Sequence, residues 1–558
     1  MNLIKYLCSI AMLAGLFSMS LQATVYRVNS IDSYIAARGN AVANDSIIWD
    51  SGVYTNIVMN ITKDSLYVGA EELGGTIFNG SSKINITGDY VTAEGFQFVG
   101  ANTGRTDIIT IRGSYALVTQ INIKDCRSYK YLRIFEESRH CVVSYCNFEN
   151  RFNLDDQNIL SILVDNTEPG YHKVQHCSFK NFDGSGNDLG IEPIRIGVSS
   201  QANFISRSLV EYCYFTRCNG DGELISSKAT QNVYRFNTFE NNPLAELVLR
   251  HGSEAVVYGN FFINGKGGVR IREGQDHYIY NNYFEDLNDR TIYTQNQDDD
   301  RLDNINIAFN TIVDCDDIRL GGSGSDQPTN VTFANNIFTD PKGNIFEDQT
   351  GNETWIGNIA FGTLGIAVPA SGITVVDPQL MTNGQGYYGL SMNSPAIDAA
   401  EAGYAPLPQF PGMDPVDTDV LFDIMGQNRP ATLADRDLGC SEFPHTTTIA
   451  PIATEENTGP SYDTDLISSI DDLGYITRLA IAPNPTQGVA KVELTVSKTA
   501  EVGIAIYGIN GKLLDHAAYS NISQLSHRID LSAYANGMYF VRLTIDGEAV
   551  TRKIAVQK

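Results

Sequence analysis

Along most of the chain Val, Ile, Tyr and Phe alternate with polar residues over four to six positions, bounded by Gly, Asn and Asp, and almost no stretch has helical periodicity. The pattern predicts short strands. Segments of one shape recur: VVSYCNF ending at Phe148, VQHCSF at Phe179, VEYCYF at Phe215, YRFNTF at Phe239, YGNFF at Phe262, YNNYF at Phe284 and FANNIF at Phe338. Asn237, Asn260, Asn282, Asn310 and Asn336 stand just before the anchor residue, in steps of 23, 22, 28 and 26. A repeat of roughly 20 to 30 residues marks a solenoid, and strand-forming units make it a β-solenoid. A coil of about 22 residues fits a parallel β-helix, in which each rung buries its inward side chains only by stacking on its neighbours; a propeller blade needs roughly 40.

This organisation divides the chain. Met1 to Ala23 has a lysine, an apolar run and a small residue before Thr24, the pattern of a secretory signal peptide. Residues 24–445 are assigned to the β-helix, the last hundred being less regular and containing DPQL, SPAID and GQNRP. Residues 446–470, rich in Thr, Ser, Glu, Asp and Pro, have the composition of a linker. Residues 471–558 return to period-two alternation split by Asn-Gly, Asp-Gly and Pro-Asn-Pro turns, which predicts a small antiparallel β-sandwich. The fold class expected is all-β.

Charge and cysteine content narrow the partners. With 39 basic and 65 acidic residues the net charge is -26, which argues against nucleic acid. No segment carries about 18 consecutive apolar residues, so no membrane span is expected. Cys146, Cys177 and Cys213 each stand two residues before a Phe, equivalent rung positions that predict buried free thiols rather than disulfides.

Against this acidic background, Lys228, Arg250 and Arg272 stand 22 residues apart, the period of the framework around them. In LVLR and GVRIR, alternation sends Arg250, Arg270 and Arg272 outward, and parallel strands about 4.8 Å apart bring them within reach of one polyanion. Like charges this close depress the most titratable member, so Lys228 is the one that can become a neutral base, while the Arg cations stabilise charge developing beside a carboxylate. The spacing fits equally a solvated basic stripe paired with Glu246, Glu254 or Glu273. Glu192, Asp221 and Glu223 form an acidic group beside the cations, either balancing them or holding calcium. Glu223 and Lys228 have opposite parity, so the chain must turn between them to face one groove. His277, Tyr278, Tyr280 and Tyr283 are candidates for sugar platforms, or for packing. Lys266, in a Gly-rich turn, is a candidate for a distal carboxylate. Asp298, Asp299 and Asp300 are consecutive, unlike the acids on adjacent rungs of a hydrolase.

GELISSK, LRHG, GGVRI and the NNYF rung resemble the alginate lyase and chondroitinase B family, polysaccharide lyase family six, over roughly residues 24–445. The resemblance implies a right-handed parallel β-helix that cleaves uronate polysaccharides by β-elimination, with Lys228 taking the C5 proton, Arg250 acting as general acid and His251 contacting substrate. It also implies a calcium ion held by an Asn and two Glu. Here Asp221 replaces the first Glu and Glu192 stands nearest the Asn, which leaves calcium dependence open and gives Arg270 or Arg272 the charge-neutralising part without it. Alginate is the expected substrate, with a dermatan-type glycosaminoglycan or a non-catalytic glycan-binding adhesin as alternatives. Pro483-Asn484-Pro485, GMYF from Gly537 and the terminal Lys553–Lys558 resemble the sorting domain of the type IX secretion system, which implies that machinery as a partner and a secreted or surface-attached protein.

Overall fold

The computed structural model describes residues 23–151, 157–184, 190–294, 302–321, 327–462, 476–484, 486–508, 513–545 and 548–556. The expected signal peptide, apart from Ala23, lies outside them. A parallel β-solenoid of about 13 turns forms the body of the protein, each turn offering three strands. One column begins at Val25–Val28 and climbs through Leu209–Glu211 and Val256–Tyr258 to Glu353–Ile356. A second carries the phenylalanine motifs, among them Ser178–Phe182, Tyr214–Cys218 and Thr238–Asn242. The third passes through Val58–Ile61, Lys83–Ile86, Leu132–Ile134, Ile194–Ile196, Glu223–Ser227 and Glu246–Leu249. In Phe261–Ile271 and Tyr283–Thr294 the second and third columns merge into one long strand.

Parallel register places like over like, which is why the sequence repeats. Phe148, Phe179, Phe215, Phe239, Phe262 and Phe284 stack with ring centroids 4.8–5.0 Å apart. Cys146, Cys177 and Cys213 are buried beside them, and every described cysteine is a free, buried thiol, as expected. The repeated asparagines form a second buried ladder. The backbone N–H and side-chain amide of Asn237 both donate to Asn260 Oδ1 (2.9 and 3.1 Å), and the same pair of bonds joins Asn260 to Asn282, Asn282 to Asn310, Asn310 to Asn336 and Asn336 to Asn358. Each side-chain amide also donates to a carbonyl one turn earlier, such as Val257 O for Asn282. These bonds satisfy the polar groups that a turn would otherwise bury unpaired.

The alternation gave no sign of the α-helix Ile31–Asn40. It starts with a capping box between Ser30 and Ser33 and buries Tyr34 against Trp49, closing the first turns of the coil. Ten residues with two buried side chains leave too short a stripe to register as periodicity.

Beyond Val375 the chain turns back along the flank of the solenoid. Leu390, Ala396, Leu407, Phe410, Val416 and Val420 pack on Leu209, Val233, Val256, Tyr258 and Tyr280. In GQNRP, Arg429 is fully buried, paired with Glu442 and donating to Asn281 Oδ1 and the carbonyls of Asp437 and Gly439. The expected linker is corrected over its first part. Ile449 and Ala453 are buried, Gly459 N–H reaches His176 O, and the Tyr462 hydroxyl donates to the carbonyls of Phe96 and Gln120. A polar segment without a core of its own reads as linker; this one borrows the core of the coil. Residues 463–475 lie outside the described residues.

Residues 476–556 form a separate antiparallel sheet of five strands. Val489–Gly508 is bonded to three of the others, and Val492, Leu494, Ile504, Ile529, Val541, Leu543 and Ile554 make its core. No helix among the described residues is long and apolar enough to cross a membrane.

Candidate active site

In the third column nearly every strand is an apolar residue, a variable one and an apolar one: Leu132-Arg133-Ile134, Leu160-Ser161-Ile162, Ile194-Arg195-Ile196, Leu247-Val248-Leu249, Val269-Arg270-Ile271. Alternation buries the outer members and turns the middle one out. The register lines up Arg133, Ser161, Arg195, Ser226, Val248, Arg270, Tyr293 and Arg319 down one face. Two positions on, at the strand ends, stand Lys228, Arg250 and Arg272. Their backbone N–H groups bond to Ile196 O, Ser227 O and Leu249 O of the preceding rungs, each at 2.8 Å. The three cations therefore occupy the same place on consecutive turns, about 4.8 Å apart in backbone.

Lys228 is only 9% exposed. Burial lowers the pKa of its amine and the Arg250 guanidinium lowers it further, with Glu223 pulling the other way. Arg250 is held by a 2.6 Å bond from Nη1 to Glu223 Oε1. Glu273 bonds the Nδ1 of His251 and lies 3.7 Å from Arg272 Nε, orienting both groups at the edge of the line. Arg270 faces Glu246, which is clamped by Arg290 through both carboxylate oxygens (2.5 and 3.0 Å). Gly267 makes room for that clamp: a Cβ there would lie 2.7 Å from Glu246 Oε2.

The turn needed between Glu223 and Lys228 is a β-bulge. Glu223 pairs with Glu246 and Ile225 with Leu247, so Leu224 is an extra residue that inverts the parity. Glu223 thereby joins Lys228 on the outer face, below Glu192. Glu192 Oε2 and Glu223 Oε2 are both buried without a hydrogen-bond partner. Burial pushes the Glu192 carboxyl up, Arg195 pulls it down and Glu223 adds to the rise. Two crowded carboxylates with orphaned oxygens fit a hard cation. Asp221 is tied to the backbone beside them, its two oxygens accepting from the N–H groups of Gly190 (2.6 Å) and Glu223 (3.0 Å). Among the described residues no three acidic, His or Cys side chains come together as a metal cage.

Lys228, Arg250, His251, Arg270, Arg272, Glu192 and Glu223 are thus gathered on neighbouring rungs. His277 is a correction. It is 0% exposed, its Nδ1 receiving the Ala255 N–H and its Nε2 donating to Glu273 O, and burial depresses its pKa to about 4. It shares the inward parity of Ile279, so it supports the turn rather than meeting a sugar. Tyr280 and Tyr283 are buried packing residues, and Tyr278 packs against the returning segment. Lys266 stands at the corner between the merged columns, where the register shifts between Gly265 and Gly267. Arg195, Asn158 and Lys130 were missed: Asn158 Oδ1 accepts from both Arg195 (2.6 Å) and Lys130, extending the polar column two rungs toward the N-terminus. The repeated triplets would have found Arg195.

Comparison with known proteins bears on this arrangement. Residues 28–297 match the family model described as Chondroitinase B, and residues 480–557 that of the secretion system C-terminal sorting domain. No curated protein matches the chain. Among solved structures it is similar to the PL6 family alginate lyase AlyGC, at 22% identity and a TM-score of 0.59, over 69% of this chain and 59% of that one. It is also similar to a mannuronic acid specific polysaccharide family 6 lyase from human gut microbiota, at 25% identity and 0.54, over 61% and 86%. A PL6 alginate lyase in complex with trisaccharide matches at 19% and 0.55, over 67% and 92%. The chain spans 59% of the length of the first of these proteins.

Proposed function

Because residues 28–297 form a chondroitinase B family domain on a polysaccharide lyase family 6 fold, and residues 480–557 a sorting domain that marks the protein for secretion or the cell surface, we propose that the chain is an exported alginate lyase. The observation that carries the reading is the largely buried Lys228, its amine lowered in pKa, beside Arg250 on the next rung.

In β-elimination a base removes the C5 proton of a uronate, the C4–C5 double bond forms, and the C4–O bond breaks with the electron pair leaving on oxygen. Lys228, in its deprotonated form, takes the proton. Arg250, fixed by Glu223, supplies a proton to the departing oxygen. Arg270 and Arg272 offset the substrate carboxylate, whose charge otherwise opposes carbanion formation. His251, oriented by Glu273, contacts the sugar. A divalent cation on Glu192 and Glu223, when bound, would neutralise the same carboxylate.

The test is ultraviolet absorbance of the unsaturated product, with alginate, poly-mannuronate, poly-guluronate and dermatan sulfate supplied separately. Absorbance rising with alginate and not with dermatan supports the reading. The family model favours a second one, a glycosaminoglycan lyase on the same residues, and the reverse outcome would select it. Binding without new chain ends from any polymer would make the protein an adhesin.

A further inference from the structure

The outward column that carries the site continues toward the N-terminus, through Arg195 and Ser161, to a second feature. Around Arg133, Thr110 and Asn85, which face each other on successive rungs, lies an open groove of about 330 Å³ lined by Lys83, Asn85, Arg105, Asp107, Tyr129 and Arg133. Lys83, Arg105 and Arg133 line it together with Asp107, in a chain whose net charge is -26. That carboxylate is occupied: Asp107 takes Arg133 Nη2 at 3.1 Å and lies 3.0 Å from its Nε. The Arg133 guanidinium also rests 5.2 Å from the centre of the Tyr129 ring. The remaining lining is amide and hydroxyl, with Thr110 donating to Asn85 at 2.9 Å. Cationic side chains, an aromatic ring and neutral hydrogen-bonding groups make a surface for an acidic sugar rather than for an apolar ligand.

Position supplies the second half of the argument. From Arg133 to Ser226 there are three parallel steps, through Ser161 and Arg195, or roughly 14 Å at the spacing of parallel strands. A pyranose chain lying along the coil axis advances by about one sugar per rung, so its carboxylates recur at nearly the interval of the column. We propose that the groove between Lys83, Arg105 and Arg133 is a distal subsite that holds a carboxylate of the same poly-uronate chain, roughly three sugars or more from the bond that is cut. The inference rests on the poly-uronate reading above and adds to it a preference for long chains, through contacts that take no part in the chemistry.

The experiment uses the full chain carrying Lys228→Ala, so that ligands are not consumed, titrated calorimetrically with oligo-uronates of four and of ten units. The longer ligand should bind roughly five- to tenfold more tightly. Adding Lys83→Glu and Arg105→Glu should erase that gain and leave the four-unit affinity as it was. Lys83→Gln, which removes charge without adding any, should lose part of the gain and serves if the double reversal disturbs folding. A gain that survives both sets of substitutions, or no gain with length at all, overturns the subsite. A wild-type protein that releases unsaturated ends from no uronan overturns the function itself, a failure separable from the first.

Discussion

Two polar columns run through neighbouring turns of this coil, and they are finished differently. In the asparagine ladder that starts at Asn237, every side-chain oxygen from Asn260 to Asn358 accepts two bonds from the previous rung, and every amide finds carbonyls. In the outer column, Glu192 and Glu223 each keep a buried oxygen without a partner, and burial together with the Arg250 guanidinium lowers the pKa of Lys228. A satisfied column holds the turns together; an unsatisfied one is held open by the rest of the fold and is available to a ligand.

The contrast can be broken from either side. Lys228→Ala should reduce turnover by about a thousand-fold while leaving the urea midpoint where it was; a variant that keeps a tenth of its activity would remove Lys228 as the base. Asn282→Ala leaves the Asn260 N–H and the Val257 carbonyl buried without their partner, and should cost about 2–4 kcal/mol in urea unfolding with the activity of the folded fraction retained.

Acid separates interior from groove next. His172 and His277 are fully buried with pKa values pushed down to about 3 and about 4. As pH falls below the ordinary histidine range near 6.5, the unfolded chain takes up these protons first, so stability is lost progressively down to the depressed values. For His277 the loss amounts to roughly 3 kcal/mol at most, and His277→Asn should flatten the stability profile measured between pH 6.5 and 4. In the groove the sign is set by Glu223, which raises the Lys228 pKa. Glu223→Gln should move the acid limb of kcat/KM to lower pH, although Arg250 loses its anchor and the maximum falls. The smallest effect expected is that of a chelator. Activity unchanged in excess chelator assigns carboxylate neutralisation to Arg270 and Arg272 alone, and a loss restored by calcium assigns it to Glu192 and Glu223.

How far the sequence could be read follows from the same contrast. The phenylalanine, cysteine and asparagine positions repeat because each rung places the same atom on its neighbour, so the coil and the line Lys228, Arg250, Arg272 were legible. Leu224 was not, since a one-residue bulge alters register without altering composition. His277 was legible but misread: its parity with Ile279 marks it as interior. The flank formed by residues 376–462 was hidden, because its apolar residues follow no period and its partners, such as Tyr258 and Gln120, lie far away in sequence.

That returning flank bears on the order of folding. Tyr462 reaches the carbonyls of Phe96 and Gln120 across 366 and 342 positions of chain. Stacking rungs needs only nearest neighbours, but this closure must wait for the last residues of the solenoid body and carries a large loop entropy. Early coils can therefore form as the chain emerges while their outer wall stays unsealed. In pulse-labelled hydrogen exchange, the amides around Gly459 and Ser461 should gain protection after those of the phenylalanine stack.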